Sequence, residues 1–495
     1  MAVEEEGKQR GPRFDSFNTE IEESHGETSR VAARSSVVDS LHGCGLSGFR
    51  VNKDELKKKL LIPEYLRNAM MEAVTKKEFV YDADRHRGDE TSTAPEAAVI
   101  VFINSKSGGH HGPALKARLQ ELISEQQVFD LSSVKPSEFL HHGLGCLEEL
   151  ANFGDHCAQE TRKRVRIVVA GGDGSVGWVL GCIGELHLEN IKPIPPVGVI
   201  PLGTGNDLSR SFGWGGSFPF AWKSAIKSSL LRVISGRIRR LDSWQVVMTT
   251  VDEKKLELPY ALKPRQQTSI PQDGIQDGTL SSTFVSYEGV FYNYFSMGMD
   301  AQVAYGFHHL RNEKPYLAQG PITNKMIYSG YSCAQGWFCT PFSSNPRVRG
   351  LNNILRVEIK RRNCSDWEIL RIPSSVRAVV ALNLHNYASG RNPWGHPSPD
   401  YLEKKGFVEA HPDDGLLEIF GLKEGWHTTF VMIELIKAKH LAQAAAIRVE
   451  LRSGRRKNAY LQMDGEPWKH PLSENNSTTI EITKAPFPSF MISGE

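Results

Sequence analysis

The stretch VRIVVAGGDGSVGWVLG, Val165–Gly181, decides how the chain folds. A β-branched apolar run from Val165 to Val169 stops abruptly at glycines, and a helical pattern follows. Gly171, Gly172 and Gly174 carry no Cβ to hold a ligand off the backbone. Ser175 is expected to cap the helix, whose first N–H groups and positive dipole end then face the loop. Such a loop is an anion site, and phosphate suits it best. Asp173 is the odd residue, because a carboxylate repels phosphate. It either caps the turn or serves a divalent cation or the chemistry, and the residues leave both open. Gly172, Gly174 and Gly177 also fit G-x-G-x-x-G, but the next apolar run, PPVGVIPLG, carries no acid for a ribose, which disfavours a nicotinamide site.

Two further units repeat the pattern. AAVIVFINSKSGGHHG, 97–112, is a buried strand entering a polar loop, and Leu115, Leu119, Leu122 and Ile123 mark the helix after it. VGVIPLGTGNDLSRSFG, 197–213, is the third unit. Repeated strand–loop–helix units predict a three-layer α/β domain with a parallel sheet, whose ligands lie beyond the carboxyl ends of the strands. The loops at 104–109, 171–175 and 203–207 therefore converge on one crevice. No G-x-x-x-x-G-K-[ST] occurs, so this is not a P-loop protein.

After a helix around 221–234 and the basic end RIRR, 237–240, the texture changes to short strands with turn signals. LDSWQVVM, TFVSYEGVFYNYFSMG, ILRVEIKRR, WEILRI, VRAVVALNL, GFVEA and LLEIFGL predict an antiparallel, β-rich, sandwich-like domain. A helix is expected over Thr428–Ala446, then a hairpin IRVEL–RSGRRKN–AYLQMDGE with a strongly basic turn. The expected organisation is a disordered region 1–52, a basic amphipathic helix and linker 53–94, the α/β domain 95–240, the β-rich domain 241–480 with a flexible insertion 252–282, and a tail 481–495. In the amphipathic segment Leu56, Leu60, Leu61, Leu66, Ala69, Met70 and Ala73 fall at helical spacing, and Pro63 restarts the helix. Its lysines either form a solvated face of a docked helix or meet an anionic membrane.

At 495 residues the chain has room for two or three domains, and 40% hydrophobic with 23% charged residues is ordinary for a soluble protein. A net charge of +2 gives no bulk attraction to nucleic acid. The seven cysteines are scattered with no CxxC pair, which argues against a disulfide framework or zinc finger and for a reducing compartment. MAVEEEGKQRGPR lacks the apolar core of a secretion signal, and no apolar run reaches the ~18 residues of a membrane span. A cytoplasmic protein with peripheral membrane association is expected. His141 and His142 have no third ligand at useful spacing and read as loop residues, while Phe291, Tyr292, Tyr294 and Phe295 read as sheet core.

The three loops, with NYFSMGMDA (293–301), NYASGRNPWG (386–395), DDGLLEIFGL (413–422) and QMDGEPW (462–468), resemble the eukaryotic diacylglycerol kinases, in particular the compact plant group without accessory domains. The resemblance covers about 95–248 and 283–470. It implies an ATP-dependent lipid kinase with an α/β nucleotide domain and a β-rich lipid domain, making phosphatidic acid from diacylglycerol. Two departures stand out. The family's GGDGT reads GGDGS here, which keeps the hydroxyl, and the cysteine-rich fingers and calcium-binding hands of larger relatives are absent.

The resemblance also implies residue roles. Gly171, Gly172, Gly174 and Ser175 would hold the nucleotide phosphates. Asn104, Ser105, Lys106, Ser107 and Gly108, with Gly203, Thr204, Gly205, Asn206 and Asp207, would complete the pocket. Asp173 and Asp207 would organise Mg²⁺, with helix capping the other role open to Asp207. Asp414 and the Leu416 carbonyl match a structural divalent-cation site of bacterial relatives, or else form an ordinary Asp-Gly turn. The acceptor hydroxyl needs a base. Asp464, at the end of a strand in MDGE, is the expected one, with Glu466 orienting it or sharing its proton and Asp173 its rival. The expected partners are ATP, diacylglycerol and an anionic membrane surface. A sphingoid-base or ceramide kinase is the alternative within the same architecture; an NAD kinase lacks QMDGEPW, and a non-catalytic scaffold has no need of acids beside phosphate loops.

Overall fold

The computed structural model describes residues 52–82, 92–107, 111–218, 222–250, 256–265, 284–313, 350–423, 431, 437–454, 456–474 and 477–495. The expected disordered region, apart from Asn52, lies outside the described residues, as do Gly108 and Arg455.

Helices α1 (Lys53–Leu60) and α2 (Glu64–Lys76) bury Leu56, Leu60, Leu66, Ala69, Met70 and Ala73 in the first core. Gln127 fixes the turn between them, accepting from the Ile62 N–H and donating to the carbonyl of Leu60. Lys53 and Lys59 pair with Glu121 and Glu96. The apolar face of this segment is thus spent on the domain, which is the docked arrangement of the two expected.

Strands β1 (Ala98–Ile103), β3 (Val165–Gly171) and β4 (Val197–Pro201) are Val/Ile-rich and buried nearly throughout, as strands covered on both faces must be. With β2 (Val128–Asp130) they run parallel in the order β2-β1-β3-β4. Helices α3 (His111–Leu122), α4 (Asp173–Leu188) and α5 (Asp207–Ser211) follow β1, β3 and β4, and α6 (Trp222–Ser235) comes next. The sheet does not stop at β4. The expected tail 481–495 carries β19 (Ser489–Ile492), which lies parallel to β4 and antiparallel to β5 (Ile238–Leu241), the strand formed by the basic end RIRR. Trp214 Nε1 donates to the Ile492 carbonyl at 2.7 Å, locking this strand in place.

The remaining strands form two antiparallel sheets. One has the order β11-β10-β15-β18-β6-β8-β7, using β6 (Trp244–Thr250), β7 (Lys263–Pro264), β8 (Val285–Phe291), β10 (Leu355–Lys360), β11 (Glu368–Leu370), β15 (Ala446–Leu451) and β18 (Thr478–Lys484). The other has the order β14-β13-β12-β9-β16-β17, using β9 (Tyr294–Gly298), β12 (Val376–Leu382), β13 (Leu417–Lys423), β14 (Lys439–Ala444), β16 (Asn458–Met463) and β17 (Glu466–Pro471). Strand β6 alternates buried and half-buried residues, the signature of a sheet with one covered face. Val246 and Ile480 of one sheet share a single core with Met297, Leu461 and Trp468 of the other. Phe291, Tyr292 and Phe295 are buried, as expected of sheet core. Helix α7 (Met299–Glu313) packs on β9, β16 and β17.

Five local expectations fail. The helix expected over Thr428–Ala446 is strand β14 at 439–444, paired with β13; most of 428–436 lies outside the described residues. The hairpin expected over 446–463 does not exist. Strand β15 pairs with β10 and β18 while β16 pairs with β9 and β17, so 452–457 is an arch between two sheets. GFVEA is no strand; Gln443 holds Val408 through both its N–H and its carbonyl. Of the insertion 252–282, residues 256–265 pack on the core, with Leu262 buried and β7 paired to β8. His141 and His142, read as loop residues, sit in a helical turn over Phe139–Gly143, where His141 faces Glu189 at 3.4 Å.

Candidate active site

The phosphate-type loops meet as expected, but their glycines serve another purpose as well. Helix α4 starts at Asp173 with Gly172 as its N-cap, three residues before the expected cap. Ser175 lies in the first turn, and its hydroxyl accepts from the Asn104 side-chain amide at 3.1 Å. Asn104 Oδ1 in turn accepts the Lys106 N–H, so the first loop is pinned to the second. A Cβ on Gly172 would stand 3.1 Å from the Gly203 Cα, and one on Gly203 only 2.6 Å from the Gly172 Cα. The second and third loops therefore touch backbone to backbone, an approach only glycine permits. A Cβ on Gly171 would meet Ser175 Cβ at 2.6 Å, whereas one on Gly174 would meet nothing within 4 Å. Of these four, Gly174 presents the open face.

Each acid in the crevice grips a neighbouring loop. Asp173 accepts from the N–H groups of Asp207 (2.9 Å) and Leu208 (3.0 Å), so it caps α5 and not its own helix. Asp207 reaches into the β-rich domain, where its carboxylate accepts from the N–H groups of Gly390 (2.6 Å) and Ser389 (3.3 Å). Asp464 arrives from that domain. It and Gly465 form the two-residue turn between β16 and β17 with φ of 46° and 87°, the left-handed pair that Asp-Gly favours. Its carboxylate accepts from the N–H groups of Tyr292, Asn293 and Tyr294 at 2.8, 2.8 and 2.9 Å, fastening the β8–β9 turn.

These carboxylates hold their protons more tightly than usual. Burial raises Asp173 most, the charge of Asp207 adds to it, and Asp464 contributes further. Burial also raises Asp207, against the Gly390 and Ser389 N–H groups and the guanidinium charges of Arg210 and Arg391. Asp464 is pushed up to about 6 by burial, against its three N–H bonds, with the Glu466 charge adding to the rise. Glu466 is raised by burial against N–H groups of Ala261 and Tyr260, and its Oε2 is buried without a hydrogen-bond partner. Asp173, Asp207, Asp464 and Glu466 thus form one electrostatically connected set spanning both domains.

The other expected residues fall into place unevenly. Asn206, left-handed at φ 56° and 1% exposed, spends its amide on Gly203 and the Gly216 carbonyl, so it shapes its loop from behind. The Thr204 carbonyl accepts from the Ser389 hydroxyl, and Lys106 is exposed. Asp414 is remote in role: its oxygens accept the His411 and Leu416 N–H groups, and Lys484 places its ammonium on Asp242 at 2.6 Å, 3.6 Å from where a Gly415 Cβ would stand. These bonds are the ones an Asp-Gly turn makes, and a structural cation at Asp414 and the Leu416 carbonyl stays a proposal. The residues missed from sequence are Arg210, Arg391, Ser389 and Gly390. Arg210, one helical turn after Asp207, carried a readable spacing signal; the 389–391 loop is brought in only by the tertiary fold.

Among the described residues no group of three His, Cys, Asp or Glu side chains is arranged to hold a metal ion by itself. Magnesium does not require one, since it is commonly held by one or two carboxylates together with substrate phosphates. The raised carboxylates and the unpartnered Glu466 Oε2 are hard oxygen donors that fit such an ion.

Comparison with known proteins falls on the same two domains. Residues 98–238 match the diacylglycerol kinase catalytic domain, and 290–467 match the diacylglycerol kinase accessory domain. The chain is 59% identical to diacylglycerol kinase 7 of Arabidopsis thaliana over 94% of its own length and 96% of the relative's. It is 37% identical to diacylglycerol kinase 1 of Oryza sativa subsp. japonica, over 78% of this chain and 77% of that one. It is 31% identical to human diacylglycerol kinase zeta over 78% of its own length, which is 36% of that larger protein. None of these supports a sphingoid-base or ceramide kinase. With both domain matches flanking the crevice and relatives aligned over nearly its whole length, the chain belongs to the diacylglycerol kinase family.

Proposed function

We propose that the crevice of this ATP-dependent diacylglycerol kinase seats the ATP phosphates on its three glycine loops and delivers the terminal phosphoryl group to the primary hydroxyl of 1,2-diacyl-sn-glycerol, giving phosphatidic acid. The supporting observation is that Asp173 and Asp207 clasp the third loop and the opposite domain, while Asp464 of that domain stands near enough for its charge to reach Asp173. The open face at Gly174 and the first N–H groups of α4 suit phosphate oxygens. Asn104, Ser105, Lys106, Ser107, Gly108, Thr204 and Gly205 would line the same nucleotide pocket, and Arg210 and Arg391 would add positive charge beside it.

Phosphoryl transfer asks the protein mainly for positioning and charge stabilisation. Mg²⁺, when bound, supplies charge neutralisation on the transferring group; Asp173, Asp207 and Glu466 are the residues that would hold it. Asp464 is the base. A carboxylate offers about four lone-pair sites, and three here accept N–H bonds, which leaves one to take the hydroxyl proton. Glu466 raises the proton affinity of Asp464 toward the value a base needs near neutrality. Asp173 holds α5 and the third loop in register.

The acceptor lies in a bilayer, and no helix among the described residues is long and apolar enough to cross a membrane. A peripheral approach through the basic arch 452–457 follows, each Lys or Arg near an anionic leaflet contributing about 1 kcal/mol. Incubation with radiolabelled ATP and diacylglycerol, sphingosine, ceramide and NAD in parallel tests the reading. Label in phosphatidic acid alone, lost in Asp464→Asn, is expected; label in another acceptor would displace it.

A further inference from the structure

The last two residues of the arch, Arg456 and Lys457, also line a cavity. The link from β15 to β16 is anchored at its two ends, where the Arg452 N–H meets the Ile354 carbonyl (2.8 Å) and the Leu472 N–H meets the Lys457 carbonyl (2.9 Å). Beside the arch, between β9, β16, α7 and the start of β10, lies a cavity of about 330 Å³. That is within the range of roughly 300–1,000 Å³ typical of small-molecule sites. Met297, Leu351, Leu355 and Leu461 give it apolar walls, and Arg456 and Lys457 of the arch add two cations. Lys457 is exposed, so the positive charge lies at the mouth. This is not the crevice, whose loops do not line it. Asp464 follows the far end of β16: the strand's six residues at about 3.3 Å each put it roughly 20 Å from the basic mouth at Lys457, and the deepest wall, Leu461, is three residues short of it.

An apolar interior with cations at the mouth is complementary to a molecule with a hydrocarbon body and an anionic head. We propose that this cavity is a second lipid site, which takes an anionic phospholipid of the bilayer, its phosphate at Arg456 and Lys457 and the start of an acyl chain against Met297, Leu351 and Leu461. The site holds the arch on the membrane while the crevice, at the other end of β16 from the bound head, works on diacylglycerol. The inference rests on the proposed approach through the arch and gives it a built pocket in place of diffuse charge.

The test uses the full chain and two readouts. In the first, sedimentation with phosphatidylcholine vesicles with and without phosphatidylserine is compared for wild type and R456Q/K457Q. Affinity for the anionic vesicles is expected to fall about thirty-fold, the loss of two such contacts. In the second, calorimetry measures binding of water-soluble dihexanoyl phosphatidylserine, with glycerol 3-phosphate as a head without chains. The short lipid should bind wild type, glycerol 3-phosphate should not bind this site, and Gln302→Trp, which fills the cavity from α7 without altering charge, should abolish short-lipid binding. Should that variant fail to fold by circular dichroism, Lys457→Glu carries the test by repelling the head. Unchanged short-lipid binding in the folded Gln302→Trp variant, or in Lys457→Glu, overturns the proposal, as does vesicle binding unmoved in R456Q/K457Q. Turnover of dispersed dihexanoylglycerol should stay unchanged in all three variants. A failure of the kinase reading would therefore appear in that assay, and a failure of the second site in the binding assays.

Discussion

The base proposed at Asp464 would have two functions that substitution can separate. Its carboxylate fastens the β8–β9 turn through three N–H groups, which leaves a single lone pair for the proposed proton transfer. Asp464→Asn puts an NH₂ group where N–H donors point, so a loss of stability on the order of 1 kcal/mol is expected on urea unfolding. The catalytic loss should be far larger: kcat lowered at least about 100-fold with KM for ATP little changed. A variant that lost ATP affinity but kept its turnover would place Asp464 in nucleotide binding and return Asp173 as the base. Because Asp464 must be unprotonated to act and sits near 6, kcat/KM should climb with pH through that region and level off above it. Asp173 makes a contrasting case. Removing its carboxylate uncaps the Asp207 and Leu208 N–H groups, at a cost of about 1 kcal/mol. That is small beside a typical domain stability of roughly 5–15 kcal/mol. Asp173→Ala should therefore remain folded by circular dichroism and yet lose phosphoryl transfer; near-normal turnover at saturating MgATP would reduce Asp173 to a cap.

At the scale of elements, what was legible depended on whether the signal is local. The three strand–loop–helix units announce themselves by unbroken Val/Ile runs ending in glycine, because strands buried on both faces must be apolar throughout. The crevice was therefore readable, and so was the Asp-Gly turn that delivers Asp464. The second grip of each acid was not, since nothing near Asp207 in sequence points to Gly390. KAKHLAQAAA reads as helix by intrinsic preference, yet pairing with β13 makes it strand β14, where the tertiary partner overrides a weak local bias. Likewise β15 and β16 look like a hairpin because they are neighbours, but each finds a better partner in a different sheet. β19 was the hardest case. Four residues after a Pro-containing stretch resemble a tail, and their partners, β5 and β4, lie some 250 and 290 positions earlier. The strand is nonetheless structural: Met491 and Ile492 are fully buried in the first core. Met491→Ala should cost about 2–5 kcal/mol in urea unfolding, the range for a buried Met truncated in a core. A change under about 0.5 kcal/mol would mean the sheet is complete without β19.

For the whole molecule, the crevice sets charge against stability. Asp173, Asp207, Asp464 and Glu466 all bind protons more tightly folded than unfolded. Between the ordinary carboxylate range near 4 and their raised values, with Asp464 at about 6, the folded chain carries more protons than the unfolded one. Stability contributed by these groups therefore falls as pH rises through that window and is lowest above it. At neutral pH the two domains are held together across carboxylates that repel one another, and a divalent cation bound among them, as proposed, would relieve the repulsion. The bare pH profile will not isolate this, because burial holds His385 and His440 below their usual range, and these destabilise the fold on acidification. The increment that Mg²⁺ adds does isolate it. Differential scanning fluorimetry with Mg²⁺ against chelator, in the presence of ATP, should show a rise in Tm at neutral pH that shrinks as the pH is lowered toward about 5, where protons displace the ion from the carboxylates. In Asp207→Asn the neutral-pH increment should be smaller, since one of those charges is gone and the clasp to Ser389 and Gly390 is weakened. An increment that stayed constant across that pH span would mean that the cation does not meet these acids, and the raised carboxylates would then serve only to clasp the loops.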